Sequence, residues 1–300
     1  MAALPIALVA QHEDTDLFTD GPLLIEAFAR RGHETVVTAW GGERDWAKFS
    51  AVLVRASYDY IDRPGEFFEW AREVERVTPV ANPSAVLRWN GDKRYLRDLE
   101  TRGVSTIPTT WLEPGPTTWI EPGTLDPVEF GHGDFVVKPA TSAGSRLAAR
   151  YRVDEQDAAR RHLERLSDLG LCAMVQPYVA AVDDVGETGV YVFGGSVSHA
   201  IRKSAALVAG AAPAEDFAAG FAQVITPEPL DDELSAFALG ALDALPAELP
   251  SPLYARVDLV RDAGRLLLLE LELIEPFLFL DTSPGAADRY VDAALSWAGA

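Results

Sequence analysis

The sequence predicts an α/β fold in which a parallel sheet comes first and antiparallel hairpins follow. In the first 80 residues, short apolar runs alternate with amphipathic segments, a pattern typical of strands joined by helices. Later apolar runs face each other across Gly-containing turns, which is typical of hairpins. The chain has 300 residues, 48% of them hydrophobic, and can therefore bury the cores of two or three lobes.

The first lobe is predicted to hold three parallel strands and two helices. The strands are expected at 5–10, 34–39 and 51–55, and the helices at 21–31 and 66–77. Ligands of such sheets bind beyond the carboxyl ends of the strands. Arg55 and Ser57 directly follow the third strand, so the planar guanidinium of Arg55 is a candidate clamp for a substrate carboxylate. A surface salt bridge explains Arg55 equally well.

The middle of the chain is predicted to place a lysine beside a small-residue loop. Helices are expected at 84–90, 93–101 and 153–168, strands at 134–140, 146–153 and 171–179, and a Pro-rich loop at 108–123. Lys138 lies within an apolar strand, where a buried ammonium is costly unless an anion pairs with it. The following loop, TSAGS at 141–145, offers backbone N–H groups to a phosphate. The alternative is that Lys138 snorkels to solvent.

The last third is organised around a hairpin at 254–281. Before it, strands are expected through 191–193 and at 196–203, joined by a tight turn at Gly194-Gly195, followed by a loop at 208–220 and a helix at 231–245. After it, a last helix is expected at 286–298. If the hairpin turn is centred near Ala263, one face carries the charged residues Arg256, Asp258, Glu270 and Glu272, and the other carries Val257, Leu259, Leu269, Leu271 and Leu273. Three carboxylates beside one arginine indicate a hard divalent cation, unless this is a half-solvated strand.

Composition and missing motifs exclude several classes of function. The net charge of −20 argues against nucleic acid or an anionic membrane as a partner. The single Cys172 excludes an internal disulfide, and the five histidines show no metal-ligand spacing. There is no GxxxxGK[ST], GxGxxG or GxSxG motif. With no secretory signal and no apolar run of membrane-spanning length, the expected location is the cytoplasm.

The order of these segments resembles the ATP-grasp superfamily, over nearly the whole chain from Lys93 to Asp281. The stretches VLVRASYDY, RWNGDKRYL, VVKPATSAGS and LELELIEPFLFLD are most similar to its glutathione-synthetase-like branch, and within it to the O-ureidoserine cyclo-ligases of D-cycloserine biosynthesis. The resemblance implies an N-terminal substrate lobe at 1–88 and two lobes, 89–178 and 179–300, that sandwich ATP.

The resemblance also implies roles for individual residues. It assigns ATP phosphates to Lys93, Lys138 and the Ser142 loop, the adenine edge to Gln176, Pro177, Tyr178 and Val179, the ribose to Glu187, two Mg²⁺ (with Mn²⁺ as a substitute) to Asp258, Glu270 and Glu272, and the transferred phosphoryl group to Arg256 and Arg202. Two positions depart from the family pattern. Glu272 stands where many relatives have Asn, and Thr188 follows Glu187 where relatives often have Arg, so Lys203 or Arg202 is expected to supply that phosphate or substrate contact.

The implied activity is an ATP-dependent ligase that converts a small amino-acid-like carboxylate into an acyl-phosphate, which a nitrogen nucleophile then captures. An intramolecular nucleophile makes it a cyclo-ligase of specialised metabolism. The alternatives are an intermolecular dipeptide or amide ligase and, more distantly, a non-catalytic nucleotide-binding regulator. Relatives are often dimers, so a homodimer is an option.

Overall fold

The computed structural model describes residues 4–12, 17, 19–115, 133–215 and 223–299, and these form three sheets. The sheets follow one another along the chain. They are a parallel sheet, a four-stranded antiparallel sheet and a five-stranded antiparallel sheet. No helix among the described residues has the length and apolar character needed to cross a membrane.

The first sheet confirms the predicted parallel α/β layer. Its strands are β1 (Ile6–Ala10), β2 (Thr35–Ala39), β3 (Ala51–Ala56) and β4 (Val80–Ala81), in the order β2-β1-β3-β4. Helices α1 (Asp20–Arg30) and α2 (Pro64–Glu75) connect them. Strand β4 was not predicted, because two residues are too few to show a periodic pattern.

The middle sheet contains the predicted hairpin and one additional edge strand. Its strands are β5 (Thr110–Leu112), β6 (Phe135–Pro139), β7 (Ala149–Tyr151) and β8 (Ala173–Pro177), in the order β5-β8-β6-β7. Helices α3 (Ser84–Asn90) and α4 (Tyr95–Thr101) precede it, and α5 (Gln156–Asp168) covers it. Strand β5 corrects the prediction of a loop throughout 108–123, of which 116–123 lie outside the described residues.

The third sheet carries the long hairpin. After α6 (Ala181–Val185) come the strands β9 (Glu187–Phe193), β10 (Ser196–Lys203), β11 (Ile225–Glu228), β12 (Tyr254–Asp262) and β13 (Arg265–Glu272), with α7 (Asp232–Asp243) and α8 (Ala286–Ala298). The order is β11-β10-β9-β12-β13. The described part of the predicted 208–220 loop, 208–215, contains no helix or strand, and 216–220 lie outside the described residues.

The register of the long hairpin is confirmed at the charged positions, although the turn differs from the prediction. Arg256 pairs with Glu272 and Asp258 with Glu270. The turn has only two residues between the paired Asp262 and Arg265, and both adopt positive φ. That turn alone would put the charges out of register, and a β-bulge between Asp258 and Leu259 restores them.

The bulge places Leu269 differently from the other leucines of its strand. Leu259 pairs with Leu268, so Leu269 is the extra residue and has no partner across the hairpin. It is half-buried, whereas Leu268 and Leu271 are fully buried. The predicted position of Leu269 on the core face was therefore wrong, and those of Val257, Leu259, Leu271 and Leu273 agree with their burial.

Candidate active site

A cavity of about 220 Å³ lies where the three sheets meet, and most of the predicted site residues line it. The sheet of β5–β8 contributes one wall, and the sheet of β9–β13 contributes the opposite wall. The predicted residues that line it are Lys93, Lys138, Ser142, Gln176, Pro177, Tyr178, Val179, Glu187, Lys203, Arg256, Asp258, Glu270 and Glu272. Residues as far apart in sequence as Lys93 and Glu272 thus line one cavity.

The hinge, residues 176–179 at the end of β8 and just beyond it, is held in place by contacts with neighbouring segments. The amide of Gln176 donates to Thr109 Oγ1 at 2.8 Å, and the Tyr178 backbone N–H donates to the Asp134 carbonyl at 2.8 Å. The guanidinium of Arg150 lies 3.6 Å from the centre of the Tyr178 ring. These contacts hold the hinge rigid at the edge of the cavity, where a planar ring can meet its backbone.

A buried network of opposite charges forms the floor of the cavity. Arg256 donates two hydrogen bonds of 2.9 Å to the Asp258 carboxylate and also donates to Glu272. Lys203 Nζ lies 2.9 Å from Asp258 and 3.1 Å from Glu187. Burial opposes the ionisation of Asp258, yet Arg256 and Lys203 hold its pKa below the usual value. Burial raises the pKa of Glu272 to about 7, although the positive charge of Arg256 lowers it.

Two further lysines face the cavity from the opposite wall. Lys93 Nζ donates to the Ser142 carbonyl at 2.6 Å and lies 3.1 Å from Glu270. Burial lowers the pKa of the Lys138 ammonium, and Glu270 only partly offsets this. Within the part of the chain that the structure describes, Lys138 forms no ion pair. An anion in the cavity would supply the missing partner.

The carboxylates fit Mg²⁺ bound jointly with phosphate better than a metal centre formed in advance. Among residues 4–12, 17, 19–115, 133–215 and 223–299, no three His, Cys, Asp or Glu side chains form a metal-binding group. Mg²⁺ commonly uses one or two carboxylates and completes its shell with phosphates and water. Glu270 and Glu272 keep 25% and 28% of their side chains exposed, whereas Asp258 keeps 3% and is held by Arg256 and Lys203. Glu270 and Glu272 are therefore the better-placed ligands.

Two glycines allow the backbone to pass close to this network. Gly186 has φ +75°, and a Cβ there would lie 2.3 Å from the Lys203 carbonyl oxygen. A Cβ at Gly189 would lie 3.1 Å from an Asp258 carboxylate oxygen and 3.4 Å from Arg256 Cδ. Neither glycine was predicted to belong to the site. A side chain at 189 would crowd the Arg256–Asp258 pair.

Three predicted site residues do not line the cavity. Arg55 is buried and donates to the Pro276 carbonyl at 2.7 Å, and its guanidinium stacks over Tyr254. Ser57 is fully buried. Arg202 is paired with Glu228 and donates to the Val185 carbonyl. The geometry therefore gives no support to a substrate role for Arg55 and Ser57 or to a phosphoryl role for Arg202, and these roles stay predictions.

Other residues that line the cavity were not predicted. Tyr58 and Tyr60 reach it from the N-terminal lobe, and Glu275 and Phe277 reach it from the segment after β13. The Tyr58 and Phe277 rings stack with their centres 5.4 Å apart and their planes at 17°. Proximity to Arg55 and to the ELE run was the only sequence signal for these residues.

Known proteins resemble this chain along its whole length. The family model for the N-terminal domain of D-cycloserine synthetase DcsG matches residues 6–82. The cycloserine biosynthesis protein DcsG of Streptomyces lavendulae is 36% identical over 296 residues, which cover 96% of this chain and 97% of that protein.

Solved structures extend this likeness to the fold. The crystal structure of D-cycloserine synthetase DcsG aligns with a TM-score of 0.86 at 35% identity, covering 98% of this chain and 99% of that one. The D-alanine–D-alanine ligase of Bacillus anthracis, complexed with ATP, aligns with a TM-score of 0.69 at 17% identity, covering 99% and 97%. An ATP-grasp protein of Sphaerobacter thermophilus aligns with a TM-score of 0.65 at 21% identity, covering 96% and 98%.

Proposed function

Because this chain belongs to the D-cycloserine synthetase DcsG family and is an ATP-dependent ligase of the ATP-grasp fold, we propose that it closes a ring within a small amino-acid substrate of the O-ureidoserine type. One observation carries the choice of substrate. The N-terminal segment that matches the DcsG family model, 6–82, is also the segment that brings Tyr58 and Tyr60 into the cavity. The likeness to DcsG thus includes the wall that a substrate would meet.

We assign each nucleotide-binding residue a role that agrees with its place in the cavity. The hinge at 176–179 receives the adenine ring, and Glu187 receives the ribose hydroxyls. Lys138 and Lys93 bind the phosphates, which gives Lys138 an ionic partner and gives Lys93 a second one. Two Mg²⁺ held by Glu270, Glu272 and phosphate oxygens, with Asp258 completing the set, would neutralise charge and maintain in-line geometry. Mn²⁺, which also favours oxygen ligands, is expected to substitute.

The reaction begins with attack of the substrate carboxylate on the γ-phosphorus, which forms an acyl-phosphate and releases ADP. Arg256 stands at the floor of the cavity, fixed by Asp258, and stabilises the negative charge on the transferred group. A nitrogen of the same substrate molecule then attacks the acyl carbon. The C–N bond forms, the C–O bond to phosphate breaks, and the nitrogen loses a proton.

The test is phosphate release with ATP, Mg²⁺ and O-ureidoserine, together with a panel of other amino acids, and mass spectrometry of each product. We expect release with O-ureidoserine alone and a ring-closed product of that single substrate. Release only when two amino acids are present, with a product of their summed mass less water, would make the enzyme an intermolecular ligase. Nucleotide binding without release in any mixture would make the chain a non-catalytic regulator.

A further inference from the structure

Glu275 is a buried carboxyl group that the proposed reaction does not use. It follows β13 by three residues, lines the cavity and is 8% exposed. Its Oε2 atom is buried and accepts no hydrogen bond from any described residue. Burial raises the pKa of this carboxyl group well above its usual value. A buried carboxylate without a partner is costly, and such groups are normally paired with a cation.

The charged neighbours of Glu275 leave room for a positive ligand. Glu272 and Glu270 repel its charge, while Arg55 and Lys93 attract it. Both cations are engaged elsewhere, Arg55 with the Pro276 and Val54 carbonyls, and Lys93 with Glu270 and the Ser142 carbonyl. A cationic group of a ligand would give Glu275 its missing contact.

Aromatic side chains shape the space around this carboxylate. Tyr58 and Phe277, which stack on each other, line the same cavity as Glu275. Phe279 lines it too. Ring faces attract an ammonium group, and their apolar surface accepts the short carbon chain of an amino acid. The part of the cavity around Glu275 therefore suits a primary ammonium on a small organic molecule.

We propose that Glu275 binds the protonated α-amine of the substrate while the substrate carboxylate points toward Arg256, an inference that rests on the proposed function. An ammonium has no lone pair and cannot attack the acyl-phosphate. Holding the α-amine in that form leaves the intramolecular attack to the other nitrogen of the molecule. Glu275 is thus a specificity-determining residue for substrates that carry an α-amine.

The experiment compares two ligands on three proteins. The ligands are O-ureidoserine and its counterpart without the α-amine, and the proteins are the wild type, Glu275→Gln and Glu233→Gln. Glu233→Gln is the control, because it makes the same chemical change at an exposed ion pair with Arg261, outside the cavity. Binding is measured by calorimetry with a non-hydrolysable ATP analogue present, and turnover is measured as phosphate release.

We expect Glu275→Gln to weaken binding of O-ureidoserine on the order of 10- to 100-fold and to raise its KM similarly, because a charge-assisted hydrogen bond is lost. The KM for ATP should stay within about twofold, and Glu233→Gln should match the wild type. Wild type and Glu275→Gln should bind the ligand without the amine equally weakly. Gln has the same shape and removes a buried charge, so the variant is expected to fold.

Equal affinity of the wild-type protein for the two ligands overturns the inference, and this comparison needs neither a variant nor turnover. A loss in Glu275→Gln that is the same for both ligands also overturns it, because the carboxyl group would then contact another part of the substrate. The proposed function fails separately, through absence of phosphate release or of a ring-closed product. Binding that depends on the amine, combined with dipeptide formation, would retain the ammonium contact and overturn the proposed ring closure alone.

Discussion

Ion pairs hold most of the charged side chains of the cavity, and two of the cations each contact two carboxylates. Lys93 contacts Glu270, Lys203 bridges Glu187 and Asp258, and Arg256 bridges Asp258 and Glu272. Breaking one member of a buried pair leaves the other charge uncompensated, which costs about 3–5 kcal/mol. Substitutions in this network therefore change both ligand binding and the position of neighbouring charges.

Glu270→Gln is expected to lower kcat at least about 100-fold while the protein stays folded. Gln keeps the size of the side chain but removes one of the two partly exposed carboxylates proposed to hold Mg²⁺. The substitution also removes the ion pair of Lys93 with Glu270. The measurement is ADP formation under saturating ATP and substrate, with circular dichroism to verify folding. ADP formation at the wild-type rate would contradict the metal assignment.

Gly186→Ala is expected to reduce the free energy of unfolding by about 1–3 kcal/mol and to raise the KM for ATP. The backbone at Gly186 has φ +75° and ψ −169°, a region that only glycine adopts without strain. The added methyl group would also press on the Lys203 carbonyl and shift the lysine that contacts Glu187.

Gly103→Ala is the matched control for this substitution. Gly103 also has positive φ, but a Cβ added there would meet nothing within 4 Å. Gly103 does not line the cavity. Gly103→Ala should therefore cost stability through strain alone and leave the KM for ATP unchanged. If both variants changed the KM equally, close packing at Gly186 would not be the cause.

At the scale of secondary structure, strong patterns in the sequence were enough to predict most elements, and tertiary contacts decided the rest. The helix at 286–298 and the strand at 196–203 have the predicted bounds. Strands β4, β5 and β11 are two to four residues long and were not predicted, because so short a run shows no period.

The candidate site was predictable to the extent that residue type and order along the chain reveal it. The direction of a side chain is not visible in sequence, which is why it could not be foreseen that Arg55 donates to the Pro276 carbonyl and does not line the cavity. Asn82 and Asn90 were also overlooked. Their amides make paired hydrogen bonds to the backbone of β12, β13 and adjoining residues, contacts that exist only after the lobes have packed.

The bulge at Leu269 leads to a prediction about the whole hairpin. Deleting Leu269 should leave Asp258 opposite Glu270 and Arg256 opposite Glu272, because the bulged residue has no cross-strand partner. Deleting Leu271 should shift Glu272 into its place opposite Val257, facing the core. We expect folded protein with a raised KM for ATP from the first deletion, and insoluble or unfolded protein from the second.

Soluble yield, thermal melting and the KM for ATP of the two deletion variants test this expectation. Equal loss of folding in both would mean that the two-residue turn at Ala263–Gly264 cannot support a regular ladder. Full activity after deletion of Leu271 would mean that the charged face does not depend on the observed register.

At the scale of the whole molecule, the first and last parts of the chain are joined by buried polar contacts. The Asp20 carboxylate, at the start of α1, accepts hydrogen bonds from the backbone N–H groups of Leu278 and Leu280 at 2.7 and 3.0 Å. Helices α1 and α8 pack together, and Arg31, directly after α1, pairs with Asp288 of α8 at 2.7 Å. The segment that carries Glu275 and Phe277 is therefore positioned by the N-terminal lobe as well as by β13.

Two buried histidines are expected to make the stability of this assembly fall in mild acid. His199 stacks on Tyr191 with ring centres 4.3 Å apart, and its Nε2 lies 2.9 Å from the Leu278 carbonyl oxygen. Burial lowers the pKa of both His199 and His162 from 6.5 to about 4. The unfolded chain binds a proton on each histidine at a pH where the folded protein does not. Their contribution is therefore complete above about pH 6.5 and is lost as the pH falls toward about 4.

Each histidine should account for about 2 kcal/mol of the free energy of unfolding lost between pH 7.5 and pH 5. His199→Gln, whose amide can still donate to the Leu278 carbonyl, should remove about half of the loss caused by the two histidines, and His162→Gln the other half. Urea titrations at pH 7.5, 6 and 5 measure these slopes. If the slope of His199→Gln equalled that of the wild type, protonation at this site would not limit stability, and the acid sensitivity would have to arise from His162 or from the carboxylate network around Asp258.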